Sequence, residues 1–250
     1  MIELKSKEDI EKLRVANRIV AEILNILKSE IKPGVTSKYL DDIAREEAYK
    51  RKVRPSFLGL YGFPASLCVS INEEVIHGIP SESKVIKEGD IVSIDFGVEY
   101  EGWYGDAAIT VAVGEVSDRK KRLIEGVEKA LYAAIEVCKP GNNLRDVAKV
   151  IEDTLKQYRL TPVCDYGGHG IGRKPHEEPH VTNCLINAEN VEIKEGMVLS
   201  IEPIAHLGRG KIKKLKDGWT IVTADKAHAA HFEHTVAVCD GKVEILSKVD

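Results

Sequence analysis

The sequence is short of several residue patterns, and each shortage excludes a class of protein. Its five cysteines are odd in number, scattered and without a CxxC pair, which argues against a thiolate zinc site and against a disulfide framework. We therefore expect a reducing, cytoplasmic environment. No apolar run approaches the roughly 20 residues that a membrane-spanning helix needs, so no membrane partner is expected. The charged first residues lack the apolar segment of a secretory signal.

Clusters of basic residues are also missing. Lys and Arg number 36 against 40 Asp and Glu, which gives a net charge of −4, so nucleic acid is not predicted as a specific partner. Glutamine occurs once and methionine twice, while Lys and Glu are abundant, a composition typical of thermophilic proteins. The chain has 250 residues, 43% of them hydrophobic, and a chain of this size buries a sufficient core without disulfide bonds.

Helical periodicity is present in four segments, interspersed with short β-rich segments. A Ser6–Asp9 pair is a plausible N-terminal cap for the first helix, and Lys-Pro-Gly follows the first and third helices. The glycine and proline of that tripeptide end a helix. The predicted helices cover residues 7–29, 37–51, 118–138 and 144–158.

The order of these elements repeats within the chain. The two Lys-Pro-Gly stops are 107 residues apart, and so are Lys-Glu-Gly at 87–89 and Lys-Glu-Gly at 194–196, each of which introduces a β-rich segment. Coincidence is the alternative, but a self-match with fixed spacing indicates a repeat. We predict a single α+β domain over 1–250, with halves at about 7–113 and 118–240 related by a pseudo-twofold axis and with helices covering curved antiparallel sheets.

A hairpin is predicted between residues 93 and 110, where two β-rich runs flank a polar centre. A two-residue turn at Tyr100 and Glu101 would place Asp95 directly opposite Asp106. Two carboxylates directly opposite each other on neighbouring strands repel each other. A divalent cation is therefore expected between them. The alternative is that both aspartates point into water.

Further candidate ligands follow in the second half of the chain. Four glycines surround His169 in residues 167–172, which predicts a loop or strand edge where backbone approaches another group closely. Glu202 precedes a proline and therefore lies at a strand end or bulge. Alternation places Glu233 on the face opposite Phe232, where a buried carboxylate would need a partner. Each residue alone has an ordinary structural explanation, but four carboxylates and one imidazole together predict a site for divalent ions.

Five motifs together resemble one known family. They are SINEEVIHGIP (70–80), DFG with YGDAA (95–108), GHGIG with HEEP (168–179), SIEP (200–203) and HFEHT (231–235). The set resembles the type I methionine aminopeptidases, which have the pita-bread metallopeptidase fold, and the likeness covers nearly the whole chain. The resemblance implies removal of the N-terminal methionine from nascent chains whose second residue is small.

The resemblance also implies roles for particular residues. Two divalent ions (Co, Mn, Fe, Zn or Ni) would be bound, with Asp106 and Glu233 bridging them, and would activate a water for attack on the first peptide bond. Glu202 would shuttle the proton of that water, His176 would stabilise the oxyanion, and His77 would position the substrate. The full set of implied metal ligands is Asp95, Asp106, His169, Glu202 and Glu233.

A pocket for the methionine side chain is implied as well. By resemblance its wall contains Phe63, Cys68 and Trp219, with Leu60 nearby; the alternative is that these are ordinary core or loop residues. Two positions depart from the family pattern. Pro175 replaces a bulky apolar residue, and His231 stands where many relatives have glutamine, so substrate preference or pH profile is expected to differ.

Two other functions fit the same motifs less well. An Xaa-Pro aminopeptidase or prolidase usually has an additional N-terminal domain, and a non-catalytic pita-bread binding module usually lacks some metal ligands. The absence of an N-terminal extension and of a long late insertion argues against the type II class and a ribosome-tethering module. We expect a monomer that acts on nascent polypeptide N-termini, with transient proximity to the ribosome.

Overall fold

The computed structural model describes residues 2–249. Within that range the α-helices are α1 (Lys7–Glu30), α2 (Ser37–Lys50), α3 (Asp118–Val137) and α4 (Leu144–Gln157). The strands are β1 (Arg54–Pro55), β2 (Cys68–Ile71), β3 (Glu74–Ile76), β4 (Ile91–Tyr100), β5 (Trp103–Ala112), β6 (Thr161–Pro162), β7 (Gly167–Gly170), β8 (Glu177–Thr182), β9 (Val198–Ile201), β10 (Ile204–His206), β11 (Ile212–Lys214), β12 (Ile221–Thr223), β13 (Ala229–His231), β14 (Glu233–Cys239) and β15 (Lys242–Ile245).

The predicted helices are confirmed, and capping boxes mark where α1 and α4 begin. Ser6 and Asp9 form a reciprocal capping box at the start of α1, and Asn143 and Asp146 form another at the start of α4. These caps satisfy backbone N–H groups that have no partner within the helix. No helix of residues 2–249 combines the length and the apolar character needed to cross a membrane.

The largest sheet brings distant parts of the chain side by side. Its strands follow the order β1–β4–β5–β14–β9–β7–β8, with β2 pairing with β4 and β15 pairing with β14. The assigned pairings are antiparallel. Residues of α1 and α2 pack with β2 and β4 in one apolar cluster, and residues of α3 and α4 pack with β9 and β14 in another. Each helix pair therefore covers its own part of the sheet, although the domain limits given above remain a prediction.

The predicted register of the β4–β5 hairpin is wrong by two residues. Asp95 pairs with Ala108, and Asp106 pairs with Gly97. The turn lies at Glu101 and Gly102, which both have positive φ, 49° and 79°, as a two-residue hairpin turn of the twist-compatible type requires. The turn therefore lies one residue later than predicted, and the two aspartates are diagonal neighbours on the same face of the sheet.

The glycine-rich segment is a strand rather than a loop. β7 lies inside the sheet, between β9 and β8. The predicted close backbone approach is confirmed, because a Cβ atom on Gly168 would lie 1.9 Å from the carbonyl oxygen of Ser200. Glycine thus permits β7 to pair with β9, and this pairing sets His169 opposite Ser200.

One disulfide bond is present, contrary to the expectation from cysteine spacing. Cys164 and Cys184 are joined, with Cα atoms 5.3 Å apart. The two residues follow β6 and β8, and only the folded sheet brings these chain segments together. The other three cysteines are free.

Candidate metal centre and active site

Adjacent strands carry the five residues that were predicted to be metal ligands. Asp95 lies in β4, Asp106 in β5 and His169 in β7, Glu202 directly follows β9, and Glu233 is the first residue of β14. Since β4, β5, β14, β9 and β7 are consecutive in the sheet, side chains from one face converge on its centre.

The candidate ligand atoms form two overlapping groups. Atoms of Asp106, His169 and Glu233 all lie within 4.8 Å of one another, and atoms of Glu202, His231 and Glu233 do the same. Glu233 belongs to both groups. Oε1 of Glu202 lies 3.5 Å from Nε2 of His169. This arrangement offers two neighbouring positions for cations that share a carboxylate.

Electrostatics within the cluster are unfavourable without a cation. Burial raises the pKa of Asp106 well above its usual value, and the nearby Glu233, Asp95 and Glu202 raise it further. Burial also raises the pKa of Glu202 and of Glu233 and raises that of Asp95 to about 6. Oδ1 of Asp95 and Oδ1 of Asp106 are buried without a hydrogen-bond partner. Unpaired buried carboxylate oxygens are costly, and hard divalent cations bind such oxygens, so this donor set fits divalent metal ions.

Surrounding groups form hydrogen bonds with the candidate ligands. The hydroxyl of Ser200 donates to Glu233, and the hydroxyl of Thr235 donates to the carbonyl of Asp106 at 2.8 Å. Nδ1 of His169 lies 2.9 Å from the carbonyl of Gly170. With Nδ1 as the donor, Nε2 is the free acceptor that a metal ligand requires. Burial lowers the pKa of His169 to about 3, so the imidazole is neutral at pH 7.

An apolar wall adjoins this cluster. Phe57, Phe63, Ala65 and Cys68 form a buried cluster against which Leu60 and Trp219 pack. The rings of Phe63 and Trp219 meet edge to face, with centroids 5.1 Å apart. The wall and the carboxylate cluster line the same cavity, of about 670 Å³. The structure therefore brings Leu60, Phe63, Cys68 and Trp219 into the cavity that also contains the candidate ligands.

Three further histidines line this cavity: His77, His176 and His180. His77 has a left-handed φ of 57°, and its ring packs edge to face against Tyr166 and Trp219. Burial lowers the pKa of His77 to about 4 and also lowers that of His176, so both rings are neutral at pH 7. His176 lies with its ring centroid 4.5 Å from that of His169. Neutral imidazoles donate and accept hydrogen bonds without adding charge beside the ligands.

Comparison with known proteins identifies the family. The profile of metallopeptidase family M24 matches residues 11–240. The chain belongs to metallopeptidase family M24.

Relatives in this family align with nearly the entire chain. The methionine aminopeptidase of Aquifex aeolicus is 46% identical, with 99% of each chain covered, and that of Clostridium perfringens is 45% identical, with complete coverage of both. The crystal structure of the methionine aminopeptidase of Thermotoga maritima is 41% identical, covers both chains completely and superposes with a TM-score of 0.97. The expected pita-bread metallopeptidase fold is confirmed.

Prolidases share this M24 fold at lower similarity. The prolidase of Pyrococcus furiosus has a TM-score of 0.80 at 24% identity, and the alignment covers 99% of this chain but 66% of the prolidase. This likeness concerns the fold alone.

Some cavity residues of this M24 chain were not predicted from its sequence. Tyr61 and Tyr166 line the cavity, and the ring of Tyr61 stacks on that of His176 at 6.0 Å. The aromatic residues of the loop at 56–66 could have indicated Tyr61 as a cavity residue. His231 was noted only as a departure from the family pattern, yet it lies among the candidate ligands. Nothing in the sequence indicated that Lys5 is buried, because its burial depends on a contact with Glu177, which lies far along the chain.

Proposed function

We propose that the chain is a methionine aminopeptidase that hydrolyses the first peptide bond of chains with an N-terminal methionine and a small second residue. One observation carries the proposal: a carboxylate-rich cluster and a buried apolar wall line the same cavity. A peptide bond at the cluster would place its preceding side chain against the wall.

The metal part of the proposal concerns five side chains. Asp95, Asp106, His169, Glu202 and Glu233 would hold two divalent ions (Co, Mn, Fe, Zn or Ni), with Asp106 and Glu233 shared between them. When bound, such ions supply an activated water and polarise the substrate carbonyl. The unpartnered oxygens of Asp95 and Asp106 support this assignment.

Proton transfer is assigned to the ligand Glu202, and oxyanion stabilisation and substrate positioning are assigned to histidines beside the ligands. Glu202 accepts a proton from the attacking water and passes it to the leaving amine, since its carboxylate lies at the centre of the cluster. His176, neutral at pH 7, donates an N–H to the oxyanion that develops on the scissile carbonyl. His77 lines the same cavity with its ring against Trp219, and there it would position the substrate backbone.

The apolar wall selects the first residue of the substrate. Phe63, Cys68, Trp219 and Leu60 would surround a methionine side chain, and full burial of such a side chain contributes about 1.5–3 kcal/mol. A thioether also makes favourable contacts with aromatic rings. Burial raises the pKa of the Cys68 thiol, so this group is protonated and packs as an apolar surface.

The biological setting follows from this activity. We propose that the substrates are nascent polypeptide N-termini, met in the cytoplasm and transiently near the ribosome, and that the chain acts as a monomer.

A small peptide panel tests the proposal. Metal-depleted protein is loaded in turn with Mn²⁺, Co²⁺ or Fe²⁺ and incubated with Met-Ala-Ser, Met-Trp-Ser and Ala-Pro. We expect methionine release from Met-Ala-Ser, much slower release from Met-Trp-Ser, and none without metal; Glu202→Gln should lose activity. Hydrolysis of Ala-Pro alone would instead favour an Xaa-Pro peptidase, and no release with any ion would contradict both assignments.

A further inference from the structure

Hydrogen bonds hold the backbone of His231 beside the proposed metal centre. His231 ends β13 and is 2% exposed. Its backbone N–H donates to Oγ1 of Thr110 at 3.0 Å, and the same hydroxyl lies 2.7 Å from the His231 carbonyl oxygen, to which it donates. Oγ1 of Thr110 also lies 2.8 Å from the hydroxyl of Ser93. The backbone that carries the imidazole is thus fixed to β5, the strand of Asp106.

The side chain of His231 directs a buried nitrogen at two carboxylates. Nε2 lies 3.4 Å from Oε2 of Glu202 and 3.8 Å from Oε2 of Glu233, and it has no hydrogen-bond partner. A buried imidazole nitrogen without a partner loses its hydration without compensation. A cation between this nitrogen and the two carboxylates would satisfy all three groups.

Glu202 lies between two imidazoles. Its Oε1 is 3.5 Å from Nε2 of His169, and its Oε2 is 3.4 Å from Nε2 of His231. The two groups of ligand atoms described above each contain Glu233 and one histidine. The cluster therefore has an imidazole for each of two cation positions.

We propose that Nε2 of His231 is a sixth protein ligand, so that each of the two ions receives one imidazole nitrogen. The inference rests on the proposed two-ion site and adds to it a ligand outside the five that the family resemblance implies. An imidazole ligand suits Co, Ni, Zn and Fe, whereas carboxylate and water ligands suit Mn. The second position should consequently prefer Co²⁺ to Mn²⁺ more strongly than a site of carboxylates alone.

Proton NMR of the Co²⁺-loaded protein tests the assignment without measuring activity. An imidazole bound to Co²⁺ through one nitrogen carries an exchangeable N–H on the other, and paramagnetism shifts its signal far from the normal range. We expect two such signals in the wild type. His231→Gln should remove one, His169→Gln should remove the other, and His180→Gln, which changes an exposed imidazole, should remove neither.

If His231→Gln fails to fold, the wild-type spectrum still tests the proposal, because a single shifted signal contradicts an imidazole on each ion. A single shifted signal that disappears only in His169→Gln would overturn the proposal. Calorimetric titration provides a second measure: His231→Gln should weaken Co²⁺ binding at one position by at least about tenfold, and Mn²⁺ binding by less. If His231→Gln weakened the binding of Co²⁺ and of Mn²⁺ equally, this would count against His231 as a bound imidazole.

The outcomes also separate this inference from the proposed function. Two shifted signals in a protein that releases no methionine would contradict the peptidase assignment and leave His231 a ligand. One signal in a protein that releases methionine would contradict only the role of His231. The absence of any shifted signal at saturating Co²⁺ would overturn both the His231 assignment and the proposed two-ion centre.

Discussion

The ammonium group of Lys5 lies 2.8 Å from Oε2 of Glu177, and the two side chains are only 1% and 12% exposed. Oε1 of Glu177 accepts from the backbone N–H of Lys174 at 3.0 Å. A Cβ atom on Gly172 would lie 2.7 Å from Nζ of Lys5, so glycine leaves the space that the ammonium occupies. The residues before α1 are thereby tied to the loop that carries His176.

Lys5→Met should destabilise the protein and impair the site. Removing one partner of a buried ion pair leaves an uncompensated charge and costs about 3–5 kcal/mol. We expect a loss of this size in the free energy of unfolding, measured in urea, and a lower kcat because the segment beside His176 loosens. Lys7→Met is the matched control, since its pair with Asp240 is exposed on both sides, and it should leave stability unchanged. Similar effects of the two substitutions would refute this account.

His77 should make stability depend on pH below neutrality. Burial lowers its pKa from 6.5 to about 4, so between these values the unfolded chain binds the proton and the folded chain does not. The resulting loss in the free energy of unfolding is absent above about pH 6.5. It grows as the pH falls toward 4 and reaches up to about 3 kcal/mol.

His77→Asn should reduce this loss. Asn tolerates the left-handed backbone at this position. Urea unfolding of metal-free protein between pH 7.5 and 4 measures the slope. An unchanged slope in His77→Asn would contradict the burial argument.

Asp106→Asn should separate repulsion among the carboxylates from metal binding. The substitution removes one buried charge from beside Glu233, Asp95 and Glu202, so the metal-free variant should melt at a higher temperature than metal-free wild type. Wild type should gain stability on addition of Co²⁺, by about 2.7 kcal/mol at a concentration 100 times the Kd, and the variant should gain much less. Thermal unfolding with chelator and with Co²⁺ gives both comparisons. A less stable metal-free variant would show that the carboxylates do not repel one another in the folded protein.

Gly168→Ala should disrupt the pairing that positions His169. The added Cβ would lie 1.9 Å from a backbone oxygen of Ser200, and backbone cannot move aside as a flexible side chain does. Overpacking of this kind costs about 3 kcal/mol. Gly34→Ala is the control, because a Cβ atom added to Gly34 meets no atom within 4 Å. Gly34 has a φ of +90°, so this substitution should cost about 1–2 kcal/mol through backbone strain alone. Urea unfolding measures the loss in the free energy of unfolding for both variants. A loss for Gly168→Ala equal to or smaller than that for Gly34→Ala would mean that the sheet adjusts to the added Cβ.

The sequence predicted the four helices and the N-terminal cap of the first, because these depend on residues close together in the chain. The capping box at Ser6 and Asp9 is an example. The hairpin turn is also a local feature, but the predicted turn at Tyr100 and Glu101 was wrong by one residue, since Glu101 and Gly102 have the positive φ of the turn. That small difference moved Asp95 from opposite Asp106 to a diagonal position.

The glycine-rich segment shows the limit of local reasoning more clearly. Four glycines in 167–172 correctly indicated close backbone approach, but not that the approach is made by β9 within a sheet. Likewise, the spacing of cysteines gave no sign of the bond between Cys164 and Cys184. Both features depend on which strands become neighbours, and this depends on contacts between distant segments.

The sequence by itself determined the helices, the repeated order of elements and the residue types capable of holding divalent ions, since periodicity, capping and side-chain chemistry are local properties. Only the tertiary structure decided the arrangement around Glu202, with His169 near one oxygen and His231 near the other. It also decided the burial of Lys5 against Glu177. The reason is physical: burial and the separation of charges are set by the packing of strands and loops distant in sequence, and no local pattern records them.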